Sequence, residues 1–442
     1  MKIDQAVILS SALDWLGQVI EGCLRNRFEK DEEFEVGIFE IFDNDSSLND
    51  FIERYNPTYG EFVILMIALA PHISPGYFDR IIAEYLPEGG DFPEFGGVKA
   101  SNHRGIIATG ETSQFILAGD DLEKRLEVQR ILSHEHWLAK QRILWLEPIP
   151  EGEPAMSGRL VLNPEIIEWL TLGMVSKPRF SMDFPAEYIE TEMAWDDLVL
   201  PSGTKRQIQE IEHWIQYNET LLHDWGMKTK LKPGYRALFY GPPGTGKTLT
   251  ATLLGKQTEK DVFRIDLSRI ISKYIGETEK NLSRLFERAE NKDWILFFDE
   301  ADALFGKRTD IRDAHDKYAN QEVAYLLQRI ENYNGLVILA SNQRANIDEA
   351  FVRRFQAIIH FPLPRAEERA EIWRKTIPER IKIHSDIDWQ KIANRYEMSG
   401  ASILNVTHYC AIEILADGAR YLDSALLEAA IQREFIKEGK VF

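Results

Sequence analysis

The sequence predicts an α/β protein: a parallel sheet with helices on both faces, preceded by a mainly helical segment and followed by a small all-α one. Three observations carry that prediction. Between residues 194 and 362, short apolar runs alternate with helical patterns, the order that builds a parallel sheet with crossover helices. From Arg365 to the end the pattern is helical only. Residues 1 to about 175 are rich in aromatics and acids and begin on a helical spacing. A chain of 442 residues can hold two or three domains, each with its own core. The boundaries read as 1–176, a linker at 177–193, the sheet-bearing domain at 194–363 and the helical one at 364–442.

Taken in order, Ala6–Cys23 places Ile8, Leu9, Leu13, Leu16 and Ile20 near one helix face. The longest apolar run, Val63–Ala70, ends at Pro71 and is far short of the roughly 20 residues that span a bilayer, so it reads as a buried helix. Gly/Pro-rich breaks follow at Pro87–Gly97 and Gly105–Gly110, then a long helix over Asp121–Trp145. Gly158–Leu162 reads as a strand, and Asn163–Gly173 as a helix with Pro164 in its first turn and Gly173 past its end. A helix, a β-ribbon and another helix suit a winged-helix-like N-terminal domain. Lys177–Glu192, with Pro178, Pro185 and no sustained period, reads as a linker. Strands are expected at Ala237–Tyr240, Val262–Asp266, Ile295–Asp299, Leu336–Ser341 and Ala357–Phe361. Helices over Lys247–Thr258, Thr278–Asn291 and Asn320–Asn332 separate several of them.

The net charge of −19 argues against a nucleic-acid partner, which usually meets a basic patch. Two cysteines, Cys23 and Cys410, lie in separate zones without CxxC spacing, so neither zinc nor a disulfide framework is expected. That usage suits a reducing cytoplasm. Met1–Ile8 carries Lys2 and Asp4, unlike a secretory leader, so the protein is expected to be cytoplasmic, with no membrane segment.

Gly241-Pro-Pro-Gly-Thr-Gly-Lys-Thr248 matches GxxxxGK[ST] between a predicted strand and a predicted helix, the context that makes this phosphate-binding motif specific. Glycines let the backbone curl so that its N–H groups face phosphate oxygens, and the helix N-terminus adds positive dipole. The cradle is assigned to Gly241, Pro242, Pro243, Gly244, Thr245, Gly246, Lys247, Thr248 and Leu249. Lys247 would reach the β- and γ-phosphates and Thr248 would offer its hydroxyl to Mg²⁺. About fifty residues on, the apolar strand Trp294–Phe298 ends in Asp299-Glu300. A strand end is where an open α/β sheet binds ligands. Asp299 is expected in the magnesium shell and Glu300 to orient or deprotonate the attacking water. The next strand ends in Ser341-Asn342, whose amide could bond both the γ-phosphate and that water; a loop-capping Asn is the ordinary alternative.

The order of Gly241–Thr248, Phe298–Asp302, Asn342 and Asp348-Glu-Ala-Phe-Val-Arg-Arg-Phe355 resembles the AAA ATPases, a family of P-loop NTPase fold, over roughly residues 194–430. The resemblance implies ATP and Mg²⁺ as the ligands of the site. It begins at Trp195-Asp-Asp-Leu-Val-Leu200, similar to the segment beside the adenine pocket, and so places Asp197 there. It continues into a helical lid, where Ser399-Gly400-Ala401-Ser402 resembles the Gly-Ala second sensor. It further implies that Arg353 and Arg354 reach the γ-phosphate of a neighbouring subunit in a ring of six; pairing with local acids is the alternative. Arg354, directly before Phe355, carries over better than Arg353, because the segment is about two residues shorter than the commonest family form.

Lys273-Tyr274-Ile275-Gly276 resembles the first pore loop of AAA proteins that thread polypeptide, which implies a protein substrate. Gly306–Lys317 occupies the place of a second pore loop, with a solvated surface loop as the equal alternative. The wording also resembles bacterial single-ring members, some of which accompany contractile injection systems. On this footing residues 1–176 would be a recognition or adaptor domain. The alternatives are a DNA-associated ATPase docking through a winged helix, and a switch that assembles complexes without threading.

Three other signals carry less. Asp299-Glu300-Ala301-Asp302 spells the label of an RNA helicase family, but too few residues remain after Phe361 for a second α/β domain. His134-Glu135-His136 lacks the second histidine of HExxH, since Leu138 stands in its place. Trp137 and Trp145 are expected in a core rather than on a base-stacking surface.

Overall fold

The computed structural model describes residues 5–28, 37–39, 46–86, 92–181, 184–267, 277–290, 292–302, 324–342, 353–418 and 421–440. The chain divides into two compact units, Met1–Lys177 and Pro178–Phe442.

The N-terminal unit is mainly helical. Helix Gln5–Phe28 buries Ile8, Leu9, Leu13, Leu16 and Ile20 on the face that their spacing predicts. Among the described residues it is the one helix long and apolar enough to cross a membrane, and half of its most apolar stretch is buried in the unit. Helix Tyr59–Ile73 is buried continuously from Glu61 to Ala70, and it carries Pro71 inside its last turn rather than ending there.

The long helix expected over Asp121–Trp145 is three elements. Helix Leu122–Ile131 stops where Ser133 turns its hydroxyl onto the Arg130 carbonyl (2.8 Å). His136 then caps a short helix, Trp137–Lys140, by accepting the Leu138 N–H. Arg142, at φ 52°, turns the chain into strand β1, Leu144–Leu146. The residues of the ribbon are apolar enough to mimic a continued helical stripe, but side-chain bonds to the backbone break it. His134 therefore lies in a turn rather than on a helix face, and Trp145 is a strand residue. β1 pairs antiparallel with β2, Leu160–Leu162. Helix Pro164–Leu172 follows, with Asn163 as its cap and Gly173 at φ 75° closing it.

The stretch expected as a linker, 177–193, lies in the second unit from Pro178 onward and is not a bare linker. It holds β3, Glu187–Ile189, which pairs antiparallel with β5 as the sheet edge, and fully buried Phe184 and Ala186 precede it. Phe184 meets Phe263 edge-on at 5.4 Å. A three-residue edge strand leaves no periodic trace in a sequence.

The sheet comprises β3, β4 (Tyr235–Tyr240), β5 (Val262–Asp266), β6 (Ile295–Asp299), β7 (Leu336–Ser341) and β8 (Ala357–His360), in the order β3-β5-β6-β7-β4-β8. All neighbours except β3 run parallel. Alternate residues feed two separate cores. Phe263, Ile265, Leu296, Phe298, Val337 and Leu339 face the helix Glu277–Ala289 and residues 324–332. Ala237, Phe239, Ile295, Phe297 and Ile338 face helices Ser202–Leu222 and Lys247–Thr258. Each large side chain fully buried in this way contributes about 1.5–3 kcal/mol. Leaving β4, the chain passes over β7 and β6 to reach β5, so the strand order reverses at the carboxyl end of β4.

The C-terminal part packs helices Ala366–Thr376, Trp389–Arg395, Gly400–Ala416 and Ser424–Lys437 around Trp373 and Trp389, stacked at 5.6 Å. It is helical apart from a two-residue parallel ladder of β9 (Lys382–Ile383) and β10 (Tyr421–Leu422).

Candidate nucleotide site

The loop Gly241–Gly246 leaves β4 at the reversal point and enters helix Lys247–Thr258. Gly241 (φ 148°) crosses so close to β8 that a Cβ would fall 2.0 Å from the Phe361 carbonyl oxygen. Gly244 (φ 75°) has room for nothing larger than hydrogen, because a Cβ would meet Ala401 Cβ and Ser399 Oγ, both at 2.7 Å. Among the described residues, no backbone acceptor takes the N–H groups of Gly244, Thr245 or Gly246. Thr245 Oγ1 donates to the Pro242 carbonyl at 2.8 Å, which braces the Pro242–Pro243 bend. Lys247 is buried and folds its ammonium onto Gly241 O (2.6 Å), Pro242 O (3.0 Å) and Asn342 Oδ1 (3.4 Å). Burial lowers its pKa, and attraction to Asp299 and Asp302 works against that. Thr248 and Leu249 are half-buried in the first turn of the helix.

Asp299 ends β6 with both carboxylate oxygens engaged. Oδ2 accepts from Arg264 Nε (3.0 Å) and lies 2.8 Å from its Nη2, while Oδ1 accepts the Glu300 N–H (3.0 Å). Glu300 is exposed and sits at φ 52°, the left-handed region that a glutamate rarely adopts. Asn342 stands at the end of the neighbouring β7.

The lid reaches the loop from the other side. Ser399 caps helix Gly400–Ala416, and the Ala401 N–H donates to the Gly244 carbonyl at 3.2 Å. A Cβ on Gly400 would lie 3.4 Å from that same oxygen. Asp197 is exposed and bonds the Ala194 N–H (2.8 Å) instead of the loop. The contact from its segment comes from buried Leu198, whose Cδ1 limits Gly246.

Lys247, Asn342, Asp299, Gly244, Gly400 and Ala401 are thus brought together. Arg353 and Arg354 are exposed, and Arg354 is ion-paired with Glu331 of its own chain. Lys273, Tyr274, Ile275 and Gly276, the stretch Gly306–Lys317, and Asp348–Val352 lie outside the described residues. Arg264 falls in no motif and is placed by sheet register, whereas Leu198 and Ser399 lie in the 195–200 and 399–402 segments, with their contacts to the loop set by packing.

The site suits a nucleoside triphosphate with magnesium. Its unpaired N–H groups and Lys247 match phosphate oxygens, and the Thr248 hydroxyl and Asp299 carboxylate are hard oxygen ligands. Among the described residues no group of three His, Cys, Asp or Glu could hold a metal alone, so phosphate oxygens would complete such a shell.

Comparison with known proteins agrees with this geometry. Residues 237–363 match the family model described as "ATPase family associated with various cellular activities (AAA)". An "Uncharacterized AAA family ATPase y4kL" of Sinorhizobium fredii is 34% identical over 270 residues, 59% of this chain and 76% of that protein. A proteasome-activating nucleotidase of Archaeoglobus fulgidus is 31% identical over 263 residues, 58% of this chain and 65% of the relative. One from Sulfurisphaera tokodaii is 31% identical over 249 residues, 54% of this chain and 62% of the relative. The chain therefore spans less than two thirds of these nucleotidases. The P-loop between β4 and its helix, the sheet order and these similarities establish that this chain belongs to the AAA ATPase family.

Proposed function

We propose that the chain binds Mg·ATP at Gly241–Leu249 and hydrolyses it, in a ring of six copies that remodels a protein substrate. The observation carrying the nucleotide chemistry is the convergence of Lys247, at the end of the loop leaving β4, with Asn342 and Asp299 at the carboxyl ends of β7 and β6. Lys247 exchanges the Gly241 and Pro242 carbonyls for phosphate oxygens. Thr248 and Asp299 would hold magnesium, which would supply positive charge to neutralise the phosphates. Glu300 orients the attacking water and takes its proton, and Asn342 holds that water against the γ-phosphate. Gly400 and Ala401 close the lid over the nucleotide, with the 195–200 segment alongside.

Arg354, with Arg353 beside it, would leave Glu331 to reach the neighbouring copy's γ-phosphate. Protein as substrate is supported by Tyr274 in the first pore-loop position and by the name of the nucleotidases, which refers to a proteasome. Those names give no support to a contractile-injection partner. Residues 1–176 are assigned to substrate or adaptor recognition and 364–442 to the lid. Two free cysteines, with thiols pushed up to about 12 by burial, suit a cytoplasmic setting.

The test is the mass of the Glu300→Gln protein by light scattering, with and without Mg·ATP. Retained ATP with a shift to about six subunits is expected, since turnover is blocked after binding. A monomer in both conditions, or wild-type turnover by this variant, would refute the ring or the role of Glu300 respectively.

A further inference from the structure

The end of β7 is held from both sides. On the loop side the Gly241 N–H donates to the Ser341 carbonyl at 3.2 Å. On the acid side the chain turns at Glu300 and adds one rung beyond the sheet, from the Ala301 N–H to the Ala340 carbonyl at 2.9 Å. Asp302 follows, and its carboxylate divides its oxygens. Oδ1 accepts the Ser341 hydroxyl and Oδ2 accepts the Asn342 N–H at 2.9 Å. Asn342 is the first residue past the strand and is exposed, so its backbone would otherwise be fixed on one side only.

We infer that Asp302 is a positioning residue that sets where the Asn342 amide stands relative to Lys247 and the γ-phosphate. In this role it would act through Ser341 and Asn342, the two residues its carboxylate holds. A carboxylate suits this task because two acceptor oxygens can take two donors at once, which a single hydroxyl or amide oxygen does less well. The chain Asp302–Asn342–Lys247 also ties the acidic strand end to the phosphate loop, so the two halves of the site keep register. The inference rests on the role given to Asn342 above.

The experiment is a double-mutant cycle on steady-state ATPase activity with nucleotide affinity measured alongside. A misplacement of about 1 Å in a catalytic group costs on the order of 100-fold in rate. Asp302→Ala is therefore expected to lower kcat roughly 100-fold while ATP affinity stays within about threefold. Asp302→Asn should fall between, because its carbonyl can still accept the Asn342 N–H and Ser341 can turn to accept from its amide. In an Asn342→Ala background, Asp302→Ala should cost nothing more. Additive losses, or a wild-type kcat for Asp302→Ala, would overturn the inference. A wild-type kcat for Asn342→Ala would overturn the role of Asn342 and this inference with it. If Asp302→Ala does not fold, Asp302→Asn against Asn342→Ala gives the same cycle.

Discussion

Glu61 lies buried in the N-terminal unit, 7% exposed. Burial pushes its carboxyl up, yet the Thr58 N–H (2.6 Å), the Trp137 indole N–H (2.8 Å) and His136 (2.9 Å) together hold it below the ordinary range. A carboxyl lowered on folding stabilises the fold above its unfolded value, and that contribution disappears as pH falls through the folded one. The unit should therefore lose stability below about pH 4.5 in chemical denaturation. Glu61→Gln should cost about 1–3 kcal/mol at neutral pH, because one amide oxygen cannot serve donors on both sides, and should flatten that acid limb. An unchanged acid limb would show that another group sets it. In the nucleotide site Lys247 was legible as a candidate from its motif, and Asp299 from an apolar strand that follows that motif. Arg264 was not, since it reaches Asp299 only because β5 and β6 pair with Arg264 opposite Phe297. For Arg354 the alternative of pairing with an acid is what the structure shows within this chain, though its partner Glu331, 23 positions away, could not be named from sequence.

At the scale of elements, β5, β6 and β7 match their predicted bounds; β6 and β7 do so because a parallel strand buried on both faces is a nearly unbroken apolar run, which β5 approaches with Arg264 as its one interior break. The stretch after Ile131 misleads for the opposite reason: Leu132, Leu138 and Ile143 are all buried, but they belong to a turn, a short helix and the approach to β1. β3 escapes notice because its stability comes from pairing with β5 rather than from its own composition. The loop–lid contact gives a prediction at this scale. Gly244→Ala would both strain a φ of 75° and push against Ser399 and Ala401, opening the lid from the loop. Nucleotide affinity, by equilibrium titration, should weaken roughly tenfold or more, equivalent to about 1.4 kcal/mol. Unchanged affinity would mean that the lid plays no part in holding the nucleotide.

In the molecule as a whole, the second unit carries the P-loop with Asp299, Glu300 and Asn342 at neighbouring strand ends, proposed to hold magnesium and orient water, but its candidate arginine is turned to Glu331 of its own chain. Turnover at each site would then depend on a second copy, as it does where an arginine is supplied in trans. The two requirements reside in different residues and can be separated. Lys247→Ala should lose nucleotide binding and keep Arg354, while Arg354→Ala should bind nucleotide and lack the arginine. The most direct measurement is phosphate release by a one-to-one mixture of these two variants. Each alone should be inactive, and the mixture should recover roughly a quarter of wild-type turnover, the share of boundaries pairing an intact loop with an intact arginine. A mixture as inactive as its parts, or full turnover by Arg354→Ala alone, would contradict a site completed between copies.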